Sequence, residues 1–326
     1  MSDRDLHLDF VKGVLVVVMV IYHTMNYFFT SSPEDFAYIR FVTGSFIFIS
    51  GYIISAVYMK KYRMDKNRIC LRLIVRGLKL FIMFTVLNLS INLLAIENYK
   101  GVQFGLQNYL NNIGQIYISG NSRSVAFQIL VPISYLLIVS TAYIIFYGFK
   151  KTTIALTLIL TFLYTFLNID SYNLYLVLIG LVGLSVGLLF NIERAYSIKS
   201  KFIIFCCLSI CLGIMGYLDR NIFLYSLGII IVLKLIYDFS KTVNLKKQIF
   251  QLIILLGQYS LVSYIIQIVF LHLLSMLLLK ERWELGYEIV SIFLVTNIFL
   301  LGICTSLRFL RYRYRLIDNS YKFFFA

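Results

Sequence analysis

Residues 4–26 read RDLHLDFVKGVLVVVMVIYHTMN, and the remainder of the chain is organised around them. From Phe10 to Phe29 the run is almost wholly apolar, and at about 1.5 Å per residue it is long enough to cross a bilayer. Yet Asp9, Lys12 and His23 sit in it or at its edge. On a helix turning about 100° per residue, Asp9, Lys12, Val16, Met19, His23, Asn26 and Thr30 share one sector, whereas Val14, Val17, Val18 and Ile21 face elsewhere. One face is polar and continuous. A histidine inside a membrane costs free energy against lipid, so it is expected to look into protein or a wet cavity and is a functional candidate. The bland alternative is a histidine that only hydrogen-bonds a neighbouring helix.

Composition extends this reading to the whole chain. With 60% hydrophobic and 14% charged residues and a mean hydropathy of +0.85, the chain has too little polar surface to cover a soluble globule of this length. It reads as an all-α integral membrane protein. Apolar runs of about twenty residues argue against a β-barrel, whose strands alternate over about ten. No small-residue cleavage site follows Val20, so the first segment is expected to stay in the mature protein. The +15 net charge could point to nucleic acid, but the basic residues lie in short clusters at span ends and so report topology rather than a nucleic-acid face. The five cysteines fall in or beside apolar runs and are expected to be free, packed thiols.

At about twenty apolar residues per crossing, the pattern predicts about ten transmembrane helices. After residues 4–29 the expected spans are 36–59, a third ending near Ile96, 125–149, 152–168, 172–190, 202–218, 222–239, 258–279 and 286–307. Gly257 is the expected break between a short amphipathic piece and the ninth span. Connections after even-numbered spans carry Lys60, Lys61, Arg63, Lys66 and Arg68, then Lys150 and Lys151, Arg194 and Lys199, Lys246 and Lys247, and Arg308 to Arg315. The odd ones are acidic or balanced. Both termini are therefore expected in the cytoplasm, with residues 1–326 forming a single membrane-embedded domain of the plasma (inner) membrane. The long polar connection from Glu97 to Ser124 is expected to be a cap or re-entrant piece and a candidate for sugar contact.

Three constellations could carry chemistry. His23 lies about 21 Å along the helix from Asp9, in the outer half of the membrane, while Asp9 and Lys12 are expected to pair at the cytoplasmic end. Arg68, Arg72, Arg76 and Lys79 recur at helical spacing on one face that descends into the third span, which suits the phosphates of a nucleotide or of coenzyme A. The alternative is an anchor that snorkels to lipid phosphates. In GQYSLVSYIIQ, residues 257–267, Ser260, Tyr264 and Gln267 share a face and could serve a cavity or act as glue between helices. His272 is expected to pack near the end of its span and His7 to be solvated. Gly180, Gly183 and Gly187 have close-packing spacing. There is no HExxH, CxxC or Walker loop, so no metal is expected.

Taken together, these motifs resemble the transmembrane acyltransferase superfamily, most closely its acyltransferase family 3 branch, with glucan succinyltransferases and the lysosomal heparan glucosaminide acetyltransferase as relatives. Arg4, Leu8, Asp9, Lys12 and Gly13, with His23 ten residues after that glycine, fit the family's opening motif. SFIFISGY, residues 45–52, matches its Ser-Gly motif. Arg72 and Arg76 fit an RRxxR-like motif in which Leu73 replaces the middle arginine. Gly257, Ser260, Leu261 and Tyr264 fit the late motif, with Gln267 where a histidine often stands. The resemblance implies transfer of an acyl group, usually acetyl, from cytosolic acyl-CoA (acetyl-CoA) to a hydroxyl of an outer glycan or lipid-linked sugar. It further implies that the arginines hold coenzyme A phosphates, and that His23 acts as base or takes the acyl group itself, with a neutral imidazole in either case. A transporter or polymerase of lipid-linked oligosaccharide would share the spans and basic loops, but has no reason to place a histidine ten residues after Lys-Gly.

Overall fold

The computed structural model describes residues 5–29, 37–59, 65–94, 105–121, 125–146, 150–189, 200–218, 221–278 and 286–325. Arg4, and the parts of the polar connection at 97–104 and 122–124, lie outside them. The α-helices are α1 (Leu6–Phe28), α2 (Phe41–Ile53), α3 (Lys66–Leu94), α4 (Leu106–Asn111), α5 (Leu130–Phe146), α6 (Lys150–Phe166), α7 (Tyr172–Leu189), α8 (Lys201–Leu218), α9 (Ile222–Thr242), α10 (Gln248–Gln258), α11 (Ser260–Leu277), α12 (Tyr287–Arg313) and α13 (Arg315–Phe325). A 3₁₀ turn (Ala37–Arg40) precedes α2, and π-helical turns cover Ile54–Tyr58 and Gln115–Ser119. No β-strand occurs among the described residues. The protein is an all-helical membrane protein.

Six helices among the described residues are long and apolar enough to cross a membrane: Leu6–Phe28, Tyr38–Tyr58, Tyr172–Leu189, Ile222–Thr242, Ser260–Leu277 and Tyr287–Arg313. The other four expected spans are helical but differ in kind. Those at 130–145 and 152–166 are shorter apolar stretches, and α8 is an 18-residue helix, Lys201–Leu218. α3 is long, but its first four turns carry the basic ladder, which leaves only its second half apolar.

The chain divides into two compact units, one of Met1–Val42, Tyr196–Arg220 and Leu227–Ala326, the other of Thr43–Ala195 and Asn221–Ser226. In the first unit α1 is the central helix, packed by α10, α11 and α12. Asp5 caps α1 by accepting from the backbone N–H of His7 and Leu8, as the unpaired amides of a helix start require. The closest approach is between α1 and α10. A Cβ placed on Gly257 would lie 1.8 Å from the Asp9 carbonyl oxygen, and one on Gly13 would lie 1.9 Å from the Ile253 carbonyl oxygen. Two glycines thus let two backbones touch. The expected break at Gly257 falls instead at Tyr259, which ends α10 and precedes α11 with non-helical dihedrals, φ −110° and ψ 27°. Gly257 is inside the helix because its missing side chain is used for contact rather than for bending.

His7 is also placed differently from expectation. Its Nδ1 lies 2.9 Å from Ser240 Oγ and its ring meets the edge of Tyr237 at 5.7 Å, while the Tyr237 hydroxyl donates to Asp5 Oδ2 at 3.3 Å. The histidine is docked on α9, because the Asp5 cap turns the start of α1 towards that helix.

The second unit is held by small residues and amides. The Gly180–Gly183–Gly187 face of α7 receives Phe48, Gly51 and Ser55 from α2 and its π-turn: the Phe48 carbonyl lies where a Cβ on Gly183 would be, the Gly180 carbonyl where one on Gly51 would be, and the Ser55 hydroxyl where one on Gly187 would be. The Ser-Gly motif is therefore a packing device here. In the polar connection, the described part is helical and tied down by amides. Asn88 and Asn92 of α3 accept from the backbone N–H of Ala126 and Gly105 at 2.8 Å each, and Asn173 of α7 donates to the carbonyls of Ile116 and Tyr117. Tyr117 is central to it, since its hydroxyl bonds Thr85 at 2.7 Å and Tyr109 at 2.8 Å. Residues 105–121 thus form an anchored helical segment rather than a free loop.

After α12, Tyr314 is extended at φ −119° and ψ 112°, and α13 begins. The sequence reading has no counterpart for this helix. It is clasped by Arg311, which donates to Asp318 Oδ1 from Nε at 3.0 Å and from a terminal nitrogen at 2.8 Å, and to the Tyr259 hydroxyl at 3.1 Å. Its guanidinium lies 3.7 Å from the Tyr321 ring centre. Lys322 and then Arg311 hold the Asp318 carboxyl below the usual carboxylate range. The clasp is thus charged at neutral pH and weakens only as acid titrates through that lowered value.

Candidate functional site

His23 sits about three-quarters along α1, on the sector predicted to be polar. That sector is turned into the protein, since Asp9, Val16 and Met19 are buried on it and His23 is half-buried. Asp9 and Lys12 are paired at 2.7 Å, as the cost of a lone charge there requires. The ring of His23 lies against Tyr264 of α11, with centroids 6.4 Å apart, and against its neighbour Tyr22 at 5.3 Å. α11 runs alongside α1 in the same direction, because further along Phe28 meets Leu271 in a buried cluster and Tyr27 meets His272 at 6.3 Å. His272 therefore packs, as its setting predicted.

Two polar groups near this point are left without partners. Gln267 is fully buried, one turn beyond Tyr264 on the same face, and neither its amide nitrogen nor its amide oxygen has a hydrogen-bond partner. Thr24, next to His23, is buried with its hydroxyl unpaired. An unpaired buried polar group costs about 1–3 kcal/mol, so both groups call for an explanation beyond packing. Ser260 is half-buried on the same face of α11. Thr24 falls outside the polar sector of α1 that the helical period picks out, so the sequence pattern does not single it out. Gln267→Leu is expected to raise thermal stability by about 1 kcal/mol, by removing the unpaired amide, while lowering activity. A melting curve and a rate on the same preparation check it.

The arginine ladder lies in the second unit, on the opening turns of α3, whose first N–H groups are capped by Asp65 through the backbone N–H of Arg68 at 2.9 Å. Arg68 and Arg72 are exposed, and Arg76 and Lys79 are half-buried. The single unbroken helix puts all four on one face. Arg76 donates to the Tyr58 hydroxyl at 2.5 Å, and Tyr58 is brought there by the π-turn that closes the Ser-Gly segment. π-turns inside helices commonly mark functional positions. This partner was not legible in the sequence, because a π-turn shifts the helical phase by which faces are assigned. A further missed feature is the Lys234–Asp238 ion pair of α9, at 2.6 Å with Asp238 fully buried.

The sequence over residues 4–210 matches the model of one protein family, described as OpgC protein. The chain belongs to the OpgC protein family. The match covers well over half of the chain and includes His23, the Ser-Gly segment and the whole ladder, but not Gly257–Gln267. The OpgC family is acyltransferase-related and concerned with succinylation of osmoregulated periplasmic glucans. The chain is thus an acyltransferase-like membrane protein of polysaccharide modification, in a family related to the acyltransferases that its motifs resemble. Comparison with curated proteins and with solved structures gave no significant match.

Proposed function

We propose that the protein moves an acyl group from cytosolic acyl-CoA to a hydroxyl of a glucan or lipid-linked sugar on the outer side of the plasma (inner) membrane. The reading includes about ten crossings with both termini in the cytoplasm. The observation that supports it most is His23, turned inward against Tyr264 beside the unpartnered Gln267 and Thr24, in a chain of the OpgC family.

In this reading His23 accepts the proton of the acceptor hydroxyl as its oxygen attacks the thioester carbonyl. The carbon–sulfur bond breaks and the proton passes to the departing thiolate. In the covalent version an imidazole nitrogen attacks first, the thiol of coenzyme A leaves, and the sugar oxygen then takes the acyl group from the ring. Gln267 and Thr24 have the donors to hold the acyl carbonyl. Arg72 and Arg76, with Arg68 and Lys79, hold the coenzyme A phosphates, to which guanidinium forks are matched. Asp9, Lys12 and Ser260 support the helices that carry these groups. The family's description makes succinyl the acyl group to be tried beside acetyl.

Purified protein in proteoliposomes, given labelled acetyl-CoA or succinyl-CoA on one side and a glucan on the other, tests this. The variant Arg72→Gln with Arg76→Gln is expected to raise KM for acyl-CoA by about a hundredfold or more, because each of the two charge-assisted contacts to phosphate contributes roughly 1.5–3 kcal/mol. An unchanged KM would remove the ladder from the account.

A further inference from the structure

α13 has a docked side and an exposed apolar side. Ile317, Asp318 and Tyr321 are half-buried on the docked side, where Arg311 joins Asp318, Tyr321 and Tyr259. On the other side Leu316 is 80%, Phe323 60% and Phe324 53% exposed. Leu316 and Phe323 are seven residues apart and so nearly superpose on a helical wheel, with Phe324 about one residue's turn further round. Phe309 and Tyr312, near the end of α12, are exposed as well.

Charge surrounds this patch with one sign. Arg308, Arg313, Arg315 and Lys322 are all exposed, and the one acidic side chain of the helix, Asp318, is already held by Arg311 and Lys322. A cluster of cations round an apolar strip complements a surface that is anionic at the headgroups and apolar beneath them. Position argues the same way. α12 is apolar enough to cross a membrane, and α13 starts after a single extended residue, at the level where that helix emerges.

We propose that α13 is an interfacial helix that docks on anionic lipid, with Leu316, Phe323 and Phe324 among the acyl chains and Arg308, Arg313, Arg315 and Lys322 at the lipid phosphates. The clasp then gives the docked helix a second role. Arg311 connects it to Tyr259, the interruption between α10 and α11, five residues before the tyrosine that meets His23. Lipid binding on one side of α13 thereby holds the helix that fixes this interruption.

The test uses the full chain with its single tryptophan removed, Trp283→Phe, and a reporter added as Leu316→Trp or, in a second protein, Phe323→Trp. Both reporter sites are exposed, so neither substitution disturbs the core. Each protein is placed in nanodiscs of phosphatidylcholine alone or mixed with phosphatidylglycerol, with and without brominated acyl chains. With phosphatidylglycerol the emission is expected to be blue-shifted and quenched by bromine, with quenching about threefold weaker in phosphatidylcholine alone or with Arg313→Gln and Arg315→Gln. A reporter on the polar face, Asn319→Trp, is expected to stay unquenched. Emission typical of water at both reporter sites would overturn the proposal. So would quenching indifferent to lipid charge, or a blue shift that tracks protein concentration instead of lipid, which would mean that a second copy covers the face.

Discussion

Gly257→Val is expected to yield little folded protein, and Gly13→Val to behave alike. The Cβ of any residue at 257 would lie 1.8 Å from the Asp9 carbonyl oxygen and 2.7 Å from the Gly13 nitrogen, and a Cβ at 13 would lie 1.9 Å from the Ile253 carbonyl oxygen. All of these are backbone atoms of well-packed helices, so no side chain can swing aside. Separating α1 from α10 by the required ångström or more forfeits contact along both helices, at a cost of about 3 kcal/mol or more. Even alanine, which adds only the clashing carbon, is expected to lower Tm by roughly 5–10 °C. Gly302→Ala supplies the control, since nothing lies within 4 Å of its added carbon. There a gain of about 0.5–1 kcal/mol is expected from helix propensity alone. Thermal unfolding of the three proteins in one detergent checks this, and a wild-type Tm for Gly257→Ala would show that the two helices are not in contact as described.

This pair of glycines also shows how far the sequence could be read. Gly13 and Gly257 were visible as members of two motifs far apart in the chain, but spacing along a chain cannot say that they meet. A glycine in a long apolar run reads as a bend, whereas the bend belongs to Tyr259, whose hydroxyl is held by Arg311. The polar sector of α1 was legible because a helical period converts directly into a face, and the Asp9–Lys12 pair followed from the cost of a lone charge. Likewise the ladder from Arg68 to Lys79 was readable as one face because α3 is unbroken. Three features needed tertiary structure: the Arg76 partner Tyr58, delivered by a π-turn; the docking of His7 on α9; and α13, whose amphipathic pattern is too short to stand out after a run of arginines. Two of the expected spans, α5 and α6, are helices of seventeen residues, and the opening half of α3 carries the basic ladder, which is where composition alone blurs crossing with packing.

The second large effect concerns His23. Its side chain is half-buried, and its contacts are with the rings of Tyr22 and Tyr264. Removing it therefore costs little packing, and His23→Ala is expected to fold with a Tm close to that of the parent. Catalysis is another matter. A positioned base contributes about 10²–10⁴-fold to proton transfer, and loss of a nucleophile would cost more. Because the loss would be in a step made only in the transition state, kcat is expected to fall while KM for acyl-CoA stays near the parent value. His272→Ala, which removes a histidine packed on Tyr27 further along α11, is expected to leave kcat within about threefold.

The most direct measurement is the transfer of label from acyl-CoA to glucan by purified, reconstituted protein, run side by side for the parent and His23→Ala at matched amounts of folded material. Labelled glucan from the parent and none above background from His23→Ala is the result predicted. Equal labelling by the two proteins would contradict the assignment of the chemistry to this residue.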